Sequence, residues 1–204
     1  VSFPAGLTSI DLCAFENCTA LTAVTLPKRL TELGNEAFEN CSALKSVWIP
    51  KSLTNINGFG GSFKGCTALT DITFETGITK IADYQFNGSP IKSITIPDTV
   101  TTIGMSAFSD CANLTAIDLP TSVTEIDGYA FSSTGLTAVT LPKHLRKLGT
   151  DAFAGCTALK SVFIPLSLQN VSSPFRKCTA LTDVTFEDGR TELPDTLLEG
   201  SGVR

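Results

Sequence analysis

Residues 21–41 read LTAVTLPKRLTELGNEAFENC, and this stretch decides the fold. Val24 and Leu26 alternate with Thr25, the period of a half-buried strand. Pro27 follows at once and, lacking a backbone donor, closes a very short strand. Leu30 and Leu33 supply a second apolar pair. Ala37 and Phe38 are adjacent and both apolar, with Cys41 next. Neighbouring side chains on a strand face opposite ways, so the expectation is a single helical turn that brings all three to one side. Asn40 is a residue type that tolerates the left-handed conformation ending such a turn.

The same frame runs through the chain. Phenylalanine recurs as Phe15, Phe38, Phe63, Phe86, Phe108, Phe131, Phe153 and Phe175, with Leu198 in the next slot, at spacings of 22 to 25 residues. The strand pair returns as Val47/Ile49, Ile72/Phe74, Ile94/Ile96, Ile117/Leu119, Val139/Leu141, Val162/Ile164 and Val184/Phe186. Glu75 and Glu187 stand where the other units have proline. Left-handed stops are expected at Asn17, Asn40, Gly65, Gly88, Asp110, Gly155 and Gly200. Asp127, Thr150 and Ser173-Pro174 read as helix starts. No unit of this size buries its apolar face alone, but stacked copies do, with strands about 4.8 Å apart. The expectation is an α/β solenoid of eight to nine repeats of 22–25 residues, with one curved parallel sheet and short helical or 3-10 turns. Residues 1–204 form a single repeat domain on this reading, and because the chain starts and stops within a unit it reads as a fragment of a longer array.

A longer periodicity overlies the short one. LTAVTLPK at 21–28 recurs at 136–143, ALKSV at 43–47 recurs at 158–162, and CTALTD at 66–71 recurs at 178–183. A block of several units has been copied five units further on.

The frame LxxVxLPxxLxxIxxxAFxxC resembles the repeat of the BspA-like, or Treponema-type, leucine-rich repeat surface proteins, and the likeness covers essentially the whole chain. The resemblance implies a right-handed solenoid with its parallel sheet on the concave side. It also implies a secreted or cell-surface protein with a role in adhesion and no catalytic residues of its own. Departures are small: Ser89 and Thr134 replace the cysteine, and the segment from Ile56 to Phe63 is two residues longer than usual.

Composition agrees with a folded, non-spanning chain. Of 204 residues 42% are hydrophobic and 17% charged, far from the signature of disorder. No stretch approaches the roughly 18 apolar residues of a spanning helix. The net charge of -5 is mixed along the chain, without the concentrated basic face that nucleic acid requires. Val1-Ser2-Phe3-Pro4 carries no targeting signal.

Candidate sites are few. Cys18, Cys41, Cys66, Cys111, Cys156 and Cys178 share one slot and read as a ladder of small buried hydrophobes, with no histidine or carboxylate at matching slots to make a metal site. Cys13 lies off the ladder and reads as the one reactive thiol. His144, beside Lys143, Arg146 and Lys147, has neither a nucleophile nor an acid partner in any known motif. No catalytic group, cofactor or metal is therefore expected. Asn17, Asn40, Asn113 and Asn170 match the glycosylation pattern, though the first two already have a backbone reason to be asparagine. Gly58-Phe59-Gly60-Gly61 lacks the lysine of a phosphate loop and reads as a bulging insertion.

That leaves the outward strand positions Thr25, Trp48, Thr73, Thr95, Asp118, Thr140, Phe163 and Thr185. Threonine suits a solvated strand face, whereas Trp48 and Phe163 belong to neither core nor turn. With Lys45, Lys51 and Lys160 close by, they form a candidate macromolecular binding patch; the alternative is local cross-strand packing. The expected partner is a protein or a glycan bound by a monomer, with no nucleic acid and no membrane insertion. The competing expectations are a structural spacer and a non-catalytic accessory domain of an enzyme.

Overall fold

The computed structural model describes residues 1–57, 61–169 and 171–203. Among them thirteen short strands run in chain order: β1 (Ser9–Ile10), β2 (Ala23–Thr25), β3 (Glu32–Gly34), β4 (Ser46–Ile49), β5 (Asn55–Asn57), β6 (Asp71–Phe74), β7 (Lys80–Ile81), β8 (Thr102–Ile103), β9 (Glu125–Ile126), β10 (Ala138–Thr140), β11 (Lys147–Leu148), β12 (Ser161–Ile164) and β13 (Asp183–Phe186). The first apolar pair of the frame builds sheets β2-β4-β6 and β10-β12-β13, and the second builds β1-β3-β5 and β7-β8-β9-β11. Every pairing is parallel.

Two expectations need correction. The molecule is an all-β solenoid, with no helix among the described residues, rather than an α/β one. The Ala-Phe-x-x-Cys segment is a chain of tight turns, and its hydrogen bonds show why. In the second unit the amides of Ala37, Glu39 and Cys41 donate three residues back, to the carbonyls of Gly34, Glu36 and Phe38. Those of Phe38 and Asn40 donate instead to the next coil, to the Ser62 and Lys64 carbonyls at 2.9 and 2.8 Å. Alternate amides are thus claimed by the neighbouring coil, and two successive helical bonds never form. Glu36 and Asn40 each have φ of 57°, which turns the chain twice and lets Ala37 and Phe38 both face inward. All the expected left-handed stops have positive φ; the partner position four residues earlier was not foreseen, because it is filled by Cys13, Glu36, Tyr84, Ser106, Tyr129, Asp151, Ser173 and Thr196 rather than by glycine. Ser173, expected to cap a helix, is such a turn residue with φ 44°.

The second correction concerns the sheet. Strands form at six of the eight first-pair positions, and Ile94/Ile96 and Ile117/Leu119 lie in none. Through those same coils the other ladder, β7-β8-β9-β11, is continuous. The ring steps from Phe63 to Phe86, Phe108 and Phe131 are 5.9, 5.5 and 5.3 Å, wider than the roughly 4.8 Å of a strand ladder. Each ladder is interrupted once, the first pair's between β6 and β10 and the second pair's between β5 and β7, so neither face carries one continuous sheet.

The column is as the sequence led us to expect. Phe15 through Phe175 stack ring on ring with interplanar angles of 3° to 24°, and all but the partly buried Phe15 are fully buried. Most of the insertion at 58–61 lies outside the described residues; Gly61 is buried, and a Cβ there would meet the Asn87 carbonyl oxygen at 1.7 Å.

Candidate functional site

The cysteine ladder is part of the scaffold. All seven thiols are free, and Cys41, Cys66, Cys111, Cys156 and Cys178 are buried. Each donates across the stack to the carbonyl of the preceding coil's phenylalanine: Phe15, Phe38, Phe86, Phe131 and Phe153, at 3.0 to 3.1 Å. The two residues that replace cysteine do not reproduce this bond: Thr134 donates to its own coil's Phe131 carbonyl at 3.0 Å, and the buried Ser89 hydroxyl has no partner, so the slot selects small size more than a donor. Burial pushes Cys66 and Cys111 up to about 12. Cys13 is not the reactive thiol expected. Hydrogen bonding to Glu16, with the negative charges of Glu16 and Glu36 beside it, raises it to about 11, so almost none is thiolate at neutral pH.

His144 is exposed, and neighbouring Lys147 pairs with Asp127 at 2.6 Å. Asn17 and Asn40 are left-handed turn residues, Asn113 is exposed, and Asn170 lies outside the described residues. Among the described residues no three metal-ligating side chains converge.

The face built by the first strand pair carries the aromatic residues. Trp48 lies in β4, the central strand of its sheet, between Thr25 of β2 and Thr73 of β6. Phe163 occupies the same place in β12, between Thr140 of β10 and Thr185 of β13. Both rings are partly buried. Each forms one wall of an open hollow reaching back over the preceding coil. The Trp48 hollow, about 710 Å³, is lined by Thr25-Leu26-Pro27-Lys28 with Val1 and Phe3. The Phe163 hollow, about 610 Å³, is lined by Thr140-Leu141-Pro142-Lys143 with Ile117 and Leu119.

Lys45 and Lys160 are exposed and hold identical backbone positions. Their amides donate to the Thr22 and Thr137 carbonyls, both at 2.8 Å, and their carbonyls accept from Asp71 and Asp183, both at 3.0 Å. Lys51 is exposed too, but its counterpart in the copied block is Leu166. What the copies share there is a cap: Glu75 accepts from the Lys51 amide at 3.0 Å and Glu187 from the Leu166 amide at 2.8 Å. This explains why glutamate stands where other units have proline. The ion pairs among the described residues do not involve Lys45, Lys51 or Lys160. Lys28 and Lys143, which line the hollows, were missed by reasoning from strand positions, although the copied LTAVTLPK ends on them.

The repeat model described as the BspA type leucine rich repeat region matches residues 1–115 and 79–203, which between them take in nearly the whole chain. The chain belongs to the BspA-type leucine-rich repeat family. Among solved structures, a leucine rich cell surface protein from Faecalibacterium prausnitzii A2-165 is 26% identical, with a TM-score of 0.57 over all of this chain and 72% of that one. The T. pallidum leucine rich repeat protein is also 26% identical, with a TM-score of 0.56 over 89% of this chain and 77% of that one. Among curated protein sequences there is no match. BspA-type repeats are non-catalytic scaffolds, and the chain is a non-enzymatic binding module. No helix among the described residues is long and apolar enough to cross a membrane.

Proposed function

We propose that the chain is an extracellular or cell-surface adhesion module that grips a macromolecule, protein or glycan, with the face bearing Trp48 and Phe163, aided by Lys45, Lys51 and Lys160. The cell-surface assignment of the F. prausnitzii relative supports the location. The observation that carries the binding face is the placement of both aromatic residues: partly exposed, central in their sheets, and each walling an open hollow. Rigid rings of this kind lose little entropy on binding and dominate contact energy once desolvated. Five coils of at least about 4.8 Å each put them at least about 24 Å apart, beyond the reach of a small metabolite. The test is an array of matrix proteins and glycans, followed by calorimetry on any binder with Trp48→Ala, Phe163→Ala and the double variant. Loss of affinity in the double variant is the expected result; unchanged affinity moves binding off this face.

A further inference from the structure

The two hollows are the same structure built twice. The segments Thr25–Lys28 and Thr140–Lys143 are identical in sequence, Trp48 and Phe163 hold equivalent registers, and Val1 and Phe3 occupy the strand slots of Ile117 and Leu119. Two equivalent subsites at least about 24 Å apart along one stack suit a ligand whose own chemistry repeats.

The lining chemistry selects the ligand class. β4 and β12 are central strands whose main-chain groups are already paired with β2 and β6, and with β10 and β13. An extended peptide therefore finds no free ladder beside either ring. Between the rings the face offers Thr95, Ala116 and Asp118, all exposed, rather than the apolar centre of a protein interface. Each hollow instead combines one aromatic platform, a Leu-Pro floor and a flanking threonine hydroxyl. A sugar ring meets all three: its C–H face packs on the negative face of the aromatic ring, and its hydroxyls lie at the rim. A lysine lines each hollow, Lys28 in the first and Lys143 in the second, and the exposed Lys45 and Lys160 stand three residues before Trp48 and Phe163 in the chain.

We propose that the two hollows are paired subsites for a single acidic polysaccharide, with one uronate-bearing sugar ring on Trp48 and another on Phe163. This rests on the aromatic face being the binding face. The subsites differ in strength. Asp118 lines the second hollow where Ser2 stands in the first, so the Trp48 subsite binds a carboxylate more tightly.

Hyaluronan fragments test this. Trp48 is the only tryptophan, so its emission reports the first hollow directly. A dodecasaccharide reaching both hollows should bind on the order of 100-fold more tightly than a tetrasaccharide, because the second contact is intramolecular. By calorimetry, Phe163→Ala should reduce the long fragment to the affinity of the short one, Trp48→Ala should reduce it further, to that of the weaker subsite, and Trp48→Phe should retain binding. Paired Lys28→Gln and Lys143→Gln changes should weaken binding and flatten its salt dependence, in chains whose circular dichroism matches the parent. Equal affinity for a neutral dextran fragment, equal affinity for long and short hyaluronan, or no saccharide binding at all overturns the proposal. If a protein from the array still requires Trp48 and Phe163 while no saccharide binds, the glycan proposal falls and the binding face stands. If no binder responds to the double variant, both fall.

Discussion

Phe108 sits in the middle of the ring column, fully buried, 5.5 Å from Phe86 and 5.3 Å from Phe131 at interplanar angles of 11° and 8°. Phe108→Ala removes both stacked partners, worth about 0.5–1.5 kcal/mol each beyond burial. It also forfeits about 1.5–3 kcal/mol of side-chain transfer. The expected loss is about 3–5 kcal/mol, the range of aromatic core truncations. For a chain of this length that lowers the melting midpoint by about 6 to 20 °C. Phe108→Leu keeps most of the burial and loses both stacking contacts, so it should cost about 1–3 kcal/mol. Thr95→Ser on the exposed face should stay within about 0.5 kcal/mol. Urea titrations followed by far-UV circular dichroism and by Trp48 emission provide the assay. Because each coil is stabilised chiefly by its neighbours, a central lesion should also pull the two signals apart, the Trp48 sheet melting separately from the rest. Comparable midpoints for Phe108→Ala and Thr95→Ser would refute the repeat register. A Phe108→Leu variant as stable as the parent would show that the column needs only bulk, not stacking.

The buried thiols should resist an aromatic disulfide reagent at pH 8 in the native state, and all seven should react once the chain is denatured. Cys66 and Cys111 hold their protons to about 12 in the folded chain, against 9.0 in the unfolded one. Their contribution is therefore complete below pH 9 and lost as pH rises toward 12, each thiol adding a slope of up to about 1.4 kcal/mol per pH unit, measurable as a falling urea midpoint. Gly149→Ala should cost about 1–3 kcal/mol, since a Cβ would lie 2.3 Å from the Gly128 amide nitrogen, whereas Gly6→Ala, with open space around it, should be neutral in the same titration. Arg176→Met strands the buried Asp151 carboxylate, which the guanidinium grips from Nε at 2.8 Å and from a second nitrogen, and should lower the urea midpoint at pH 7.

Much of this molecule can be read without coordinates. The ring column, the thiol ladder and the left-handed positions at Asn40 or Gly65 follow from slots that recur every 22 to 25 residues, and a slot repeated eight times is a strong constraint on each copy. The second ladder was hidden because strands such as Lys80–Ile81 and Lys147–Leu148 are too short to display a period of two. The hollows were half legible: Trp48 and Phe163 stood out as misplaced aromatic residues, but Lys28 and Lys143 enter only because each ring stands beside the preceding coil rather than its own.

The sequence by itself determined what each coil buries, since an apolar residue has one favourable destination and the repeat period states which residues share it. Only the tertiary structure decided where the amides go. Around Phe38 an amide has two partners of similar worth, a carbonyl three residues back and one in the next coil, and the choice falls to the neighbour only once that coil is in place. The same competition, settled coil by coil, makes the turns something other than helices, and the packing of the stack decides where each ladder breaks, between β6 and β10 on one face and between β5 and β7 on the other.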